Sequence, residues 1–599
     1  MSGRADDLIP LLAAEDGAER VLSARAERRR KRAERRRRAA GDRAEFRLGL
    51  ICFVFILAFG ALAARMTQLA AAEPAEPAIT TASADKSSAA GRRTITDAKG
   101  RVLATDLLTY SIYAQSTEMR RAGLTPADAA RQLSAALPDL DEDALRAKLE
   151  KHKGFVWIKR PATPEQRQAA HDLGLPGVHT GRRETRIYPA GRIAAHIVGG
   201  VKIDSETVHE AVISGRSGVE KTLDAELRQT VEEPGPLALS LDLSVQTALT
   251  DELSGSMDEF GAIGGAATLL NVRTGEVVAM VSLPDFDPNN LPNPNDEAVK
   301  RDLRLINRAA QGLYELGSTY KLFTAAQALE QGHARLDTLV DTDGPIRMGK
   351  YAIGDFHRMP SLMSLADVIV ESSNVGTSRL ALQMGPEAQQ EFLARMGLLA
   401  PTELELFEAR TTSPRVNGRW GKLKAMTVSF GHGIASTQLH LAMAYATLVN
   451  GGLAIQPTLR LGGRQVGEQH RVISADTSRK IRGLLRTIVA EGTGRKAQAP
   501  GYEVGGKTGT ADKPKAGGYH KDKTITTFAS VFPASDPRYV LVLTLDEPET
   551  VVYGKRIRTA GWTAAPATGR AIRRIAPLLS MRPKTERRRG PEILTAGTD

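Results

Sequence analysis

The sequence predicts a mixed α/β chain with a single N-terminal transmembrane helix followed by folded regions in which strands and helices alternate. Three observations carry this. Leu48 to Ala64 form one uncharged apolar stretch bounded by Arg47 and Arg65. Strand and helix signals begin near Arg92 and continue to about residue 580. The 599 residues are 42% hydrophobic and 25% charged, a globular composition with length for roughly two to four domains.

The first 47 residues are basic. Arg25 to Arg38 hold ten Lys/Arg, opposed only by Glu27 and Glu34. The formal net charge is +12, but both signs mix through the rest of the chain. The basic run therefore reads as a membrane-orientation signal and not as a nucleic-acid surface. It assigns 1–47 to the cytoplasm, 48–65 to the membrane, and everything beyond to the outside. The apolar stretch reaches the short end of a spanning helix, about 17–25 residues. It exceeds the roughly 7–15-residue core of a cleaved signal peptide. Ala70, Ala71 and Ala72 are the small residues such a cleavage would use. The stretch shows no amphipathic face, which argues against a buried core helix.

Cys52 lies inside that stretch and is the only cysteine. An intramolecular disulfide is therefore excluded, and cysteine-based zinc sites and nucleophiles are disfavoured. The eleven histidines contain no His-x-x-x-His pair, so no metal site is expected.

Residues 66–91 have a flexible-linker composition of Ala, Pro, Ser, Thr and Glu. From 92 to 235 the pattern is mixed. Ile95 to Gly100 reads as a strand entering a turn, and Leu103 to Tyr113 as a strand. Thr125-Pro126 is a helix start, and Thr163-Pro164-Glu165-Gln166 a capping box with Gly174 as its stop. From 236 to 580, Leu237 to Leu241 alternates as a strand and a helix begins near Val245. Ala266 to Val272 and Glu276 to Ser282 form a hairpin around Arg273-Thr274-Gly275. Residues 581–599 read as a mobile tail.

Three short motifs carry chemistry: Ser318-Thr319-Tyr320-Lys321, Ser372-Ser373-Asn374, and Lys507-Thr508-Gly509-Thr510. The first spacing is common by chance, and Ser83 to Lys86 repeats it within the linker. Ser318 differs because an apolar helix, Leu322 to Leu329, follows it and ends before Gly332. Ser318 and Lys321 then share a face at a helix start. A serine hydroxyl needs an adjacent base, and a desolvated Lys321 can supply one. Ser372 can relay a proton, and Asn374 can donate and accept hydrogen bonds at once. Alone, Ser372 to Asn374 would more simply be a helix cap. The glycines around Lys507 let an extended peptide approach a strand edge. There Lys507, Thr508 and Thr510 would bind a terminal carboxylate. Backbone N–H groups of Ser318 and Thr510 would form an oxyanion hole. A phosphate loop is the other reading of this glycine-rich run, but the Gly-x-x-x-x-Gly-Lys-Ser/Thr pattern is missing.

In this order the three motifs resemble those of class B penicillin-binding proteins, and among them the division-specific peptidoglycan D,D-transpeptidases. The resemblance extends from about 90 to 570. It includes Gly91 to Ala104, Arg186 to Gly191 with Ala195 to Gly199, and Gly215 to Leu227. It also includes Asn307 to Ala309, Tyr314-Glu315, Phe430 to Ile434, Asn450 to Gly452 and Gly492 to Gly494. Leu316 and Gln438 stand where that family usually has proline, which bears on loop shape and removes no reacting group.

The resemblance implies an elongated α+β pedestal over 92–235. Over 236–580 it implies a penicillin-binding transpeptidase domain, an antiparallel sheet flanked by helices as in serine β-lactamases. Ser318 would attack the penultimate D-alanine carbonyl of a stem pentapeptide, and a neighbouring stem's amine would resolve the acyl-enzyme. Gly509 would complete the carboxylate-binding strand. No cofactor is implied. The implied partners are stem pentapeptides, lipid-linked precursor glycan strands, β-lactams, and division machinery that includes a multi-span glycan polymerase at the septum. Alternatives are an elongation-specific relative, a D,D-carboxypeptidase or β-lactamase, and a non-catalytic scaffold or β-lactam sensor.

Overall fold

The structure is a computed structural model. It describes residues 91–584 except 209–210, 229–234, 464–469 and 516, together with residues 53, 55–60 and 63. The latter few are helical and exposed. Among the described residues no helix is long and apolar enough to cross a membrane. The rest of the expected 48–65 span, the basic segment before it, the linker up to residue 90 and the tail from 585 lie outside the described residues.

The strand Val102–Gln115 organises the region after the linker. It pairs antiparallel with Phe155–Ala162 and with Val178–Ile187. Ile95–Thr96 pairs with its start and, in parallel, with Leu237–Ala238. The capping signals work as the sequence predicts. Thr125 accepts from the Asp128 N–H at 3.1 Å and starts helix Pro126–Ala136. Thr163 and Gln166 cap each other's backbone at 3.2 and 3.0 Å, starting Pro164–Asp172. With Glu142–Lys151, these helices bury Leu133, Leu145 and Leu149 against Ile112, Ala114 and Val156 of the strands. The expected strand Leu237–Leu241 is shorter, Leu237–Ala238. Beyond it Leu239 bridges Arg460, and the Ser240 N–H turns to the Leu459 carbonyl at 2.8 Å.

A buried charge network ties three distant segments together. The Glu220 carboxylate, fully buried, accepts from Arg92 Nε at 2.5 Å and Arg186 Nε at 2.8 Å. Arg92 also reaches Asp224 at 2.8 Å, and Arg186 reaches Asp106 at 3.1 Å. Each charge is therefore paired, which a buried ion requires.

The larger sheet is antiparallel, ordered Gly505–Lys515, Gly518–Phe532, Tyr539–Asp546, Gly264–Asn271, Val277–Leu283. Both faces are covered, so its central strands read as near-continuous apolar runs. Ala267, Leu269, Leu541 and Leu543 pack with helices Leu243–Phe260 and Ala564–Ile575. Ala266, Leu270, Val540 and Val542 face the other way, toward the helix Gln438–Val449. Gln438 sits at that helix's first position, where a proline would be tolerated. Its side chain instead donates to the Ala266 carbonyl at 2.8 Å and accepts from Thr268 at 2.7 Å, fastening the helix to the sheet. The predicted hairpin is present, with Gly275 at φ +76° in its turn. Gly505–Lys515 is an edge strand, and the site forms along it.

Candidate active site

Ser318 lies in a tight 3-10 turn, Gly317–Tyr320, that runs directly into the helix Lys321–Glu330. The turn is held by its own side chains and by neighbouring backbone. Thr319 Oγ1 donates to the Leu316 carbonyl at 3.0 Å, and Tyr445 OH donates to the Thr319 carbonyl at 2.8 Å. Gly317, Thr319 and Tyr320 are buried, while Ser318 remains partly exposed.

Glycines let two backbones press on this turn. A Cβ on Gly317, which has φ +58°, would come within 2.6 Å of the Thr510 carbonyl. One on Gly509 would come within 2.1 Å of the Leu316 carbonyl, and one on Gly431 within 1.8 Å of the Gly317 carbonyl. The Lys507–Thr510 strand and the Ser318 turn are thus in backbone contact. Leu316, in place of proline, fits this path as a buried side chain.

Ser372 is where the motifs meet. Lys321 Nζ and Lys507 Nζ each lie 2.9 Å from its hydroxyl oxygen, and Lys321 also donates to its carbonyl. Both lysines are buried, at 1% and 0% exposure. Burial holds Lys321 well below its usual range; the Lys507 charge pushes the same way and Asp355 opposes. Burial pulls Lys507 down to about 7. Two ammonium groups on one hydroxyl would repel in a dry site. A neutral lysine can instead accept the hydroxyl proton while the other donates.

Ser372 adopts φ +67°, uncommon for a residue with a side chain. Asp355 fixes the residues that follow Ser372. Its carboxylate accepts from Ser373 Oγ at 2.8 Å and from the Asn374 and Val375 N–H groups, the latter at 3.2 Å, capping helix Asn374–Met384. Asn374 Nδ2 donates to the Gly354 carbonyl at 3.1 Å. On the facing strand, Thr508 and Thr493 hydroxyls are 3.1 Å apart, and Thr510 Oγ1 accepts from the Ala560 N–H at 2.9 Å.

Ser318, Ser372, Asn374, Thr508 and Thr510 line one cleft of about 650 Å³. Lys321 and Lys507 reach its floor through Ser372, and Gly509 is buried behind it. The structure therefore gathers Ser318, Lys321, Ser372, Asn374 and Lys507 to Thr510 around one cleft. Ser83 lies outside the described residues. Sequence reasoning does not single out Asp355, since an acid in a loop carries no motif. His432, Thr493 and Trp562 also line the cleft. The first two stand in the glycine motifs Phe430 to Ile434 and Gly492 to Gly494, which point to them without a role. Among the described residues no cluster of His, Cys, Asp and Glu could hold a metal ion.

Known proteins resemble this chain in both of its folded regions. Residues 265–568 match the penicillin binding protein transpeptidase domain, and 87–232 the penicillin-binding protein dimerisation domain. A probable peptidoglycan D,D-transpeptidase FtsI of Caulobacter vibrioides is 37% identical over 83% of this chain and 82% of its own. The peptidoglycan D,D-transpeptidase FtsI of Escherichia coli K12 is 30% identical over 90% of this chain and 92% of its own. Among solved structures, penicillin binding protein 2X of Streptococcus thermophilus superposes with a TM-score of 0.64 at 21% identity. That match covers 83% of this chain and 81% of the other, and it shows a shared fold.

Proposed function

The chain belongs to the class B penicillin-binding proteins, and from that membership we propose a septal peptidoglycan D,D-transpeptidase that acts through an acyl-enzyme on Ser318. The observation that carries the assignment of roles is the pair of buried amines converging on Ser372, beside a partly exposed serine. The donor peptide adds as a strand along the free edge of Gly505–Lys515. Lys507, Thr508 and Thr510 hold its terminal carboxylate. Lys321, kept neutral by burial, takes the Ser318 proton as Oγ attacks the penultimate D-alanine carbonyl. Ser372 passes that proton to the leaving D-alanine amine, and Asn374 orients the peptide. The N–H groups of Ser318 and Thr510 face the developing oxyanion, an arrangement worth about 3 kcal/mol of barrier per donor. A neighbouring stem's amine then displaces Ser318. β-Lactams acylate the same oxygen.

The proposal extends to the rest of the chain: a cytoplasmic basic tail, a spanning helix over 48–65, a linker, a pedestal over 92–235 and a catalytic domain over 236–580. Expected partners are lipid-linked glycan strands and division proteins, including a multi-span glycan polymerase. Supplied with glycan bearing pentapeptide stems, the purified protein should release terminal D-alanine and form inter-stem amides in step. Release without amide formation would make it a carboxypeptidase. Depletion in the native cell should give filaments, and round cells would reassign it to elongation.

A further inference from the structure

His432 lines the same cleft as Ser318, yet the chemistry above gives it no part. Its loop is anchored to the nucleophile's turn: the Gly317 N–H donates to the Gly431 carbonyl at 3.2 Å. The ring is clamped by aromatic neighbours, Phe430 at 5.3 Å and Tyr519 at 6.0 Å between centroids. Tyr519 is fixed in turn by Glu315, whose carboxylate accepts from Tyr519 OH at 3.1 Å and from the Gly433 N–H at 3.0 Å. The imidazole Nδ1 is buried and has no aligned hydrogen-bond partner among the described residues. The proton transfer is written at Nε2, which is not among the buried unpartnered atoms.

The transfer step poses a problem the lysines do not solve. A primary amine with a pKa of about 10 arrives as an ammonium, which has no lone pair to attack with. A base on the acceptor side must remove one proton before the carbon–nitrogen bond forms. We infer that His432 is that base, a further catalytic residue of the transfer reaction. This rests on the transpeptidase reading above.

The step balances. The Nε2 lone pair takes one proton from the acceptor ammonium. The freed amine attacks the acyl carbonyl, and its nitrogen gives up a second proton through Ser372 and Lys321. The bond from carbon to Ser318 Oγ breaks, and Oγ receives that second proton. The imidazolium releases the first proton to solvent. The charged and titratable groups around the ring are Lys321, Asp512, Tyr519, Glu315 and Lys424. Burial lowers the histidine's proton affinity, while Asp512 and the Phe430 backbone oppose. The ring is therefore neutral and able to accept a proton near pH 7.

The test uses the full chain, an N-acyl D-alanyl thioester as donor and D-alanine as acceptor amine. The readouts are amide-to-hydrolysis product ratio against pH, and acylation by fluorescent penicillin. In His432→Gln the product ratio at pH 7 should fall by about 100-fold, with penicillin acylation slowed less than about threefold. Transfer in the variant should then rise about tenfold per pH unit toward the amine pKa, whereas wild type stays nearly flat from pH 7 to 9. His432→Tyr keeps the aromatic clamp without a base near neutrality and should behave alike. An unchanged ratio and pH profile in either labelled variant would overturn the inference. So would failure of both variants to acylate while wild type does, because the role is confined to the acceptor. Failure of wild type itself to acylate would instead remove the transpeptidase reading.

Discussion

At the scale of residues, the proposed chemistry depends on two lysines that are denied water. Lys321 at 1% exposure sits 2.9 Å from Ser372 Oγ, and the positive charge of Lys507 is close by. Both effects favour the neutral amine, the form that can take a proton. Lys321→Met preserves volume but supplies no base. It should fold with the wild-type melting temperature while penicillin acylation falls by at least 100-fold. Wild-type acylation in that variant would remove Lys321 from its role. The pH dependence has a definite sign. Acylation needs neutral Lys321, so the rate climbs with pH through the depressed pKa and reaches its plateau well below 10.5. A stopped-flow profile still climbing at pH 10 would contradict the burial argument.

At the scale of elements, glycine decides how closely the three motif-bearing segments approach. Gly431→Ala puts a methyl group 1.8 Å from the Gly317 carbonyl at a residue with φ +82°. The Ser318 turn must shift, and acylation should fall by more than about 100-fold, as misplacement of a reacting atom by 1 Å can cost. Near-normal acylation would show that the turn does not depend on this contact. Glu220 plays the matching part in the N-terminal region, since it pairs two buried arginines. Glu220→Gln leaves them undercompensated and should destabilise that region by about 3–5 kcal/mol. A chemical-denaturation midpoint equal to wild type would refute this.

These elements also mark what a sequence can disclose. The helices after Thr125 and Thr163 were legible because capping is local chemistry. The Gly275 hairpin was legible for the same reason. The charge network was not, because Arg92, Arg186 and Glu220 are brought together only by folding. Asp355 was illegible likewise: its partners are Ser373 to Val375, far along the chain, and no spacing announces them. The three motifs were legible as types in order, and their convergence on Ser372 belongs to the fold.

At the scale of the whole molecule, the antiparallel sheet buried on both faces is a rigid platform, and its free edge strand is the natural place for an extended peptide. The described residues from 91 to 584 form a compact unit of their own. We propose that this platform presents a single acylable oxygen, that of Ser318. The deciding measurement is the intact mass of the full chain after reaction with penicillin. Wild type should gain the mass of one penicillin, mapped to the peptide carrying Ser318, and Ser318→Ala should gain none. Undiminished modification of Ser318→Ala would contradict the account.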